Sequence, residues 1–111
     1  MPNGKGIKYY KNEKIQYDGN FINGKFEGNG KYIYEDGKYY IGEFKNNIPN
    51  GKGIKYYKNG NILYDGNFIN GKFEGYGKYI WENSEYYIGQ FANGLSHRKG
   101  TMYYSKREII Y

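Results

Sequence analysis

The twelve residues YDGNFINGKFEG stand at positions 17–28 and again, unchanged, at 64–75. Aligned over their full reach, residues 2–46 and 49–93 agree at 35 of 45 positions. Self-similarity on this scale constrains the fold before any other feature, because each copy must make the same local structure and bury it against a neighbour. A shorter period lies inside the longer one. Tyr17-Asp18-Gly19-Asn20-Phe21, Tyr40-Ile41-Gly42-Glu43-Phe44, Tyr64-Asp65-Gly66-Asn67-Phe68 and Tyr87-Ile88-Gly89-Gln90-Phe91 share the pattern Y-x-G-x-F, at spacings of 23, 24 and 23. A G-x-G follows at Gly28/Gly30, Gly51/Gly53 and Gly75/Gly77, and an aromatic stands four residues after its last Gly, at Tyr34, Tyr57 and Trp81.

The residue types in this pattern choose strands. The chain has 17 Tyr, 6 Phe and 18 Gly, but only two Leu, one Ala and no Val, so good helix formers are nearly missing. Side chains alternate across a strand, which places Tyr17, Gly19 and Phe21 on one face and Asp18, Asn20 and Ile22 on the other. Asn23-Gly24, Asn70-Gly71 and Asn93-Gly94 supply turn residues that tolerate positive φ, so each unit reads as a β-hairpin. The return strand then sets Gly28, Gly30, Tyr32 and Tyr34 against Asn29, Lys31 and Ile33, and Asp36-Gly37 and Asn59-Gly60 turn the chain into the next hairpin. Glycine weakens a strand, so its recurrence between rings needs a reason. The expected reason is a ladder in which rings from a neighbouring strand lie flat over bare backbone.

With its Y-x-G-x-F and G-x-G elements in four consecutive registered units, the chain resembles the MORN-repeat family. The expected fold is all-β: tandem β-hairpin repeats stacked into one elongated, twisted antiparallel sheet, solenoid-like and without helices. The array divides into a half unit at 1–16 and units at 17–39, 40–63, 64–86 and 87–110, with Tyr111 in the place of Tyr17 and Tyr64. Pro2-Asn3-Gly4-Lys5-Gly6-Ile7 matches Pro49-Asn50-Gly51-Lys52-Gly53-Ile54, so the chain opens mid-unit, and the expectation is a piece of a longer array. The last unit departs from the pattern. Arg98 stands where the first Gly of G-x-G belongs and Arg107 where Gly60 stands, and Leu95-Ser96-His97-Arg98-Lys99 reads as an irregular turn.

The net charge of +6 is not spread evenly. Residues 1–16 carry +3, 17–39 carry −1, 40–63 carry +3, 64–86 carry −2 and 87–111 carry +3. Cross-strand pairing along the sheet explains such alternation, each pair contributing about 0.2–1 kcal/mol. A striped surface that fixes the register of a partner or a second copy is the sharper alternative. Lys11 and Lys58 occupy the place that Glu35 and Glu82 hold in the adjoining units.

The sequence offers no catalytic constellation. Without cysteine, thiolate metal sites and thiol chemistry are absent. The single His97 and the few hydroxyls, at Ser84, Ser96, Thr101 and Ser105, suggest no nucleophile–base pair, and His97 reads as a solvated loop residue. The carboxylates Asp18/Asp65, Glu27/Glu74 and Glu35/Glu82 recur with the long period, whereas acid–base catalysis needs two different environments. The glycine-rich segments lack the Lys-Ser/Thr of a P-loop. Neither a metal nor a cofactor is expected. Nucleic acid is disfavoured, because the rings in fixed register belong to a packing face and acidic hairpins interrupt the basic ones.

Two surfaces remain. Ile22, Ile33, Ile41, Ile54, Tyr56, Ile69, Ile80 and Ile88 lie off the ring face, apolar amid charge, and form the candidate interaction surface. Lys5, Lys8, Lys11, Lys52, Lys55, Lys58, Arg98, Lys99 and Lys106 form candidate rows for acidic lipid headgroups. The resemblance implies a non-catalytic scaffold for protein–protein interaction or self-association, tethered to a membrane skeleton or the cytoskeleton. It also leaves open an anionic-phospholipid module, or the targeting or regulatory repeat region of a larger enzyme. No run of about 18 apolar residues could cross a bilayer as a helix. The expected location is cytoplasmic, or peripheral to a membrane or cytoskeletal structure.

Overall fold

A computed structural model describes residues 3–103. The chain runs up and down through nine strands: β1 (Gly4–Tyr9), β2 (Ile15–Ile22), β3 (Lys25–Ile33), β4 (Tyr39–Lys45), β5 (Ile48–Tyr56), β6 (Ile62–Ile69), β7 (Lys72–Ile80), β8 (Tyr86–Ala92) and β9 (Leu95–Tyr103). They form one sheet in chain order, every neighbouring pair antiparallel, with no helix among the described residues. The body measures 58 × 27 × 17 Å, elongated as an open array must be when each unit touches only its neighbours.

The two long edges are built by two kinds of turn. On one, two-residue turns at Asn23-Gly24, Asn70-Gly71 and Asn93-Gly94 hold both residues at positive φ, between 52° and 83°. Asn46-Asn47 does the same at 49° and 73°, where the sequence lacks the Gly signal. Each tip is tied to the hairpin before it. Asn3 and Asn50 Oδ1 accept from the amides of Asn23 and Asn70, and Glu27 and Glu74 carboxylates accept from those of Asn46 and Asn93. That repeated contact accounts for Glu27 and Glu74 as turn supports. On the other edge, Asn12, Asp36, Asn59 and Asn83 each accept from the amide two residues on, at 2.9–3.0 Å. The following position needs φ of 73–94°, and is Gly37 or Gly60 in two turns but Glu13 or Ser84 in the others.

The last two-residue turn corrects a sequence expectation. Leu95–Lys99 is not an irregular turn: the chain reverses at Asn93-Gly94, and the segment continues as strand β9, paired with β8 from Ala92↔Leu95 to Tyr86↔Tyr103. Asn-Gly geometry, intact here, outweighs the departure from the repeat pattern that follows it.

The core is one file of rings on one face. Tyr17, Tyr40 and Tyr64 are fully buried, with Phe21, Phe26, Phe44, Phe68, Tyr87 and Phe91 close behind and Leu63 joining them. Phe21, Tyr17, Phe44, Tyr40, Phe68, Tyr64, Phe91 and Tyr87 alternate edge to face, their centroids 4.7–5.3 Å apart. Tyr17 and Tyr64 also stack flat on Phe26 and Phe73, at 3.9 and 4.0 Å. The glycines make this possible. The Tyr17 ring covers Gly19 of its own strand and Gly30 of the next, rather than glycines of a neighbouring strand alone, and its hydroxyl donates to the Asn20 carbonyl at 2.8 Å. Tyr40, Tyr64 and Tyr87 donate likewise to the carbonyls three residues on. A Cβ at Gly19 would lie 2.7 Å from Tyr17 Oη, and one at Gly30, Gly53 or Gly77 would overlap the ring above it. Gly28 is different. It does not continue the ring-face alternation but sits at φ 70° where the β2–β3 register shifts between Gly19 and Phe21, as Gly75 does at φ 74° between β6 and β7.

Three predictions follow from this core and its turns. Gly30→Ala puts a methyl group inside the Tyr17 ring and should cost about 2–3 kcal/mol in urea unfolding; a loss below about 0.5 kcal/mol would show that the ring is free to move. Ser84→Gly relieves a left-handed backbone that Gly37 and Gly60 adopt without penalty in sister turns. It should stabilise the protein by about 0.5–1 kcal/mol, and a lower thermal midpoint would contradict the turn geometry. The third concerns pH. Burial pushes the phenols of Tyr17, Tyr34, Tyr57 and Tyr64 up to about 12 and raises Tyr10 and Tyr40 further. Between the unfolded value of about 10 and the folded one, the native chain keeps protons that the unfolded chain releases. Stability should therefore be complete below pH ~10 and fall as pH rises towards 12, with the phenolate absorbance of these buried tyrosines appearing together with unfolding. Phenolate absorbance that rises fully near pH 10 with the fold intact would contradict the burial.

Candidate interaction faces

The sheet divides its side chains by parity. One face holds the ring file; the other carries Ile22, Ile33, Ile41, Ile54, Tyr56, Ile69, Ile80 and Ile88 together: six are an odd step from a ring-face residue on their own strand, and Ile54 and Tyr56 stand opposite Ile41 and Tyr39. Ile22, Ile41 and Ile69 are 53%, 43% and 51% exposed, and the other five are half-buried. The structure adds Ile7, Tyr9 and Tyr76 to this face, 47%, 54% and 61% exposed. Ile7 and Tyr9 stand one long period before Ile54 and Tyr56, so the repeat itself was their signal. Tyr76 replaces Asn29 of the earlier copy, and no pattern marked it.

Strand register arranges this face in rows running across the sheet. The central row, from β1 to β8, reads Ile7, Asp18, Lys31, Ile41, Ile54, Asp65, Lys78 and Ile88. Beside it on one flank lie Tyr9, Ile15, Ile33, Tyr39, Tyr56, Ile62, Ile80 and Tyr86. On the other flank lie Lys5–Asn20, Asn29–Glu43, Lys52–Asn67 and Tyr76–Gln90 pairs. Asp18 and Asp65 stand opposite Lys31 and Lys78, yet no ion pair joins them. Lys31 and Lys78 instead place Nζ over the rings of Tyr39 and Tyr86, at 4.7 and 4.3 Å. Among the described residues the ion pair within 4.0 Å is Lys38–Asp36, at 3.5 Å, and the Lys38 amide and side chain hold the Asp36 carboxyl below its ordinary range. An open groove of 520 Å³ runs over the middle of the face, lined by Ile41, Lys52, Ile54, Asp65, Asn67 and Tyr76 above the paired glycines 42 and 53.

The candidate lysines do not form one row. Lys5 and Lys52 are exposed on the isoleucine face, paired with Asn20 and Asn67. Lys8 and Lys55 are opposite Tyr17 and Tyr64 on the ring face. Lys8 Nζ lies 5.9 Å from the Phe26 ring and Lys55 Nζ 4.6 Å from the Tyr34 ring. Desolvation, then repulsion from Lys38, lowers the Lys55 pKa. Lys11 and Lys58 are exposed in the edge turns. Three residues along a strand reverse the face, so lysines three apart cannot line up as they would on a helix. The side chains of Arg98 and Lys99 and all of Lys106 lie outside the described residues.

Among the described residues no three His, Cys, Asp or Glu converge as a metal site, and no helix is long and apolar enough to cross a membrane. Comparison with known families gives a match to the MORN repeat at residues 17–39, 40–62, 64–86 and 87–107, the first three segments opening on the Tyr whose ring roofs the glycines. MORN repeats are a non-catalytic repeat module. With four tandem matches spanning most of its length, the chain belongs to the MORN-repeat family.

Proposed function

We propose that this array is a scaffold that binds protein through its isoleucine–tyrosine face. One observation carries the reading: the ring face is consumed by packing, while the opposite face leaves Ile7, Ile22, Ile41 and Ile69 about half exposed among tyrosines and unpaired charge. Tyrosine with aliphatic residues inside a polar rim is the composition of protein interfaces. Acidic lipid is the weaker reading, because the lysines that would meet headgroups are divided between two faces and an edge, and Asp18 and Asp65 stand one strand along from Lys5 and Lys52 on the face they share.

Sedimentation with vesicles of phosphatidylserine or of phosphatidylcholine separates the two, combined with selection of displayed peptides on the immobilised chain. The expected result is weak binding to acidic vesicles that vanishes by about 0.15 M salt. Selected peptides should lose at least about tenfold in affinity on Ile41→Asp, and not on Lys8→Ala. Vesicle binding that persists at that salt and disappears in Lys5→Glu/Lys52→Glu would overturn the scaffold reading.

A further inference from the structure

The isoleucine face is self-complementary about a two-fold axis, and we infer that its partner is a second copy of the same chain, packed face to face. The inference rests on reading this face as a protein-binding surface and names the occupant. Consider an axis parallel to the strands, lying over the boundary between β4 and β5. It reverses the order of strands and leaves each row facing itself. The central row, Ile-Asp-Lys-Ile-Ile-Asp-Lys-Ile, then meets its own reverse, Ile-Lys-Asp-Ile-Ile-Lys-Asp-Ile. Ile41 faces Ile54 of the other copy, Lys31 faces Asp65, Asp18 faces Lys78, and Ile7 faces Ile88. Every carboxylate meets an ammonium group, and every isoleucine an isoleucine.

The flanking rows obey the same operation. Tyr-Ile-Ile-Tyr-Tyr-Ile-Ile-Tyr is its own reverse, so Tyr39 meets Tyr56 and Ile33 meets Ile62. On the opposite flank Glu43 meets Lys52, and Asn29 meets Asn67. The central row and the tyrosine–isoleucine row therefore agree on one axis, and the Glu43 and Lys52 charges nearest it fit the same operation. The charges are available, since neither Asp18 nor Asp65 is spent on its neighbour in the sheet. The groove over Gly42 and Gly53, at the axis, gives the two pairs of isoleucines room to approach. Eight strands about 4.8 Å apart and three rows about 7 Å apart cover roughly 700 Å² on each copy, the area of an ordinary stable interface. Twisted sheets pack face to face at about −30°, so the fit is closest at the axis, among Ile41, Ile54, Lys31, Asp65, Glu43 and Lys52, and opens towards β1 and β8.

Charge reversal tests the axis itself. Mass is measured by sedimentation equilibrium on the full chain, with circular dichroism verifying that each variant keeps its strands. The wild type should weigh twice 13.1 kDa at high concentration and dissociate more readily as salt rises. Asp18→Lys/Asp65→Lys makes the central row wholly basic and Lys31→Asp/Lys78→Asp makes it wholly acidic. Each alone should raise the dimer dissociation constant by about 100-fold or more. Mixed one to one, the two variants meet with opposite charge at every polar position of that row and should form a heterodimer. A wild type that stays monomeric at high concentration overturns the inference but leaves the vesicle and peptide tests of the scaffold to be decided separately. A dimer indifferent to either reversal places association elsewhere, at a sheet edge, and also overturns it. So does a mixture that fails to associate.

Discussion

A tyrosine ring lying on two bare glycines is the contact on which the rest of this molecule depends. Tyr17 over Gly19 and Gly30 is possible only because neither glycine has a Cβ, and the hydroxyl is then held by the Asn20 carbonyl at 2.8 Å. The backbone loses some of the stability that a side chain would give a strand, of order 0.5–1 kcal/mol at each glycine. In return the sheet gains a fully buried aromatic where a single layer has no second layer to bury it. Each ring then meets a Phe from its own hairpin and one from the next, so the same contact that folds a unit also joins it to its neighbour. Edge-to-face pairs at about 5 Å contribute about 0.5–1.5 kcal/mol each beyond the area they cover. Among the described residues there is no helix layer or second sheet, so side-chain cooperativity along the array travels through this file.

Placing all cohesion on one face releases the other. A half-buried antiparallel sheet ordinarily shows polar residues to water, yet here the free face keeps isoleucines and tyrosines at fixed row positions. Some of them also hold strands together: Tyr39 stacks on Tyr56 at 4.7 Å, and Lys31 and Lys78 lie over Tyr39 and Tyr86. The side-chain hydrogen bonds that recur with the repeat lie at the edges, where Asn and Glu side chains support turns, or beneath the rings. The charged residues of the free face are left largely unpaired within the sheet. The isoleucines left exposed on this face are the surface proposed above for contact.

Much of this was legible in the sequence, for a physical reason. Strand parity holds between bulges, so once Tyr17 and Phe21 are inward, Ile22 is outward, and the other isoleucine and tyrosine positions follow by parity and cross-strand register, whereas Ile15 and Ile62 join them only through a register shift that spacing does not reveal. Parity also separates Lys5 from Lys8, so the candidate rows do not share one surface. The ring-over-glycine contact was anticipated in kind, but its geometry was not, because a Tyr folding back over its own strand leaves no mark in spacing. Asn46-Asn47 shows the same limit at a turn: two left-handed Asn residues serve where the other tips carry Asn-Gly. Rows across the sheet were out of reach altogether. Whether Asp18 stands beside Lys31 depends on a register shift between Gly19 and Phe21, and a one-residue change would move every pairing.

Register also explains why the charge alternation takes 47 residues rather than 23. Adjacent hairpins differ in net charge, but what repeats spatially is a pair of hairpins carrying Ile-Asp-Lys-Ile across four strands. In two copies of that block, the reversed row sets acid against base only because Asp and Lys sit at the two middle places. A hairpin-length repeat would alternate only two residue types, so about an axis between strands each type would face the other and isoleucine would meet charge, while about an axis on a strand every charge would meet its like. The doubled unit therefore does what the single one could not: it keeps the packing face uniform from hairpin to hairpin while giving the opposite face a direction and a centre.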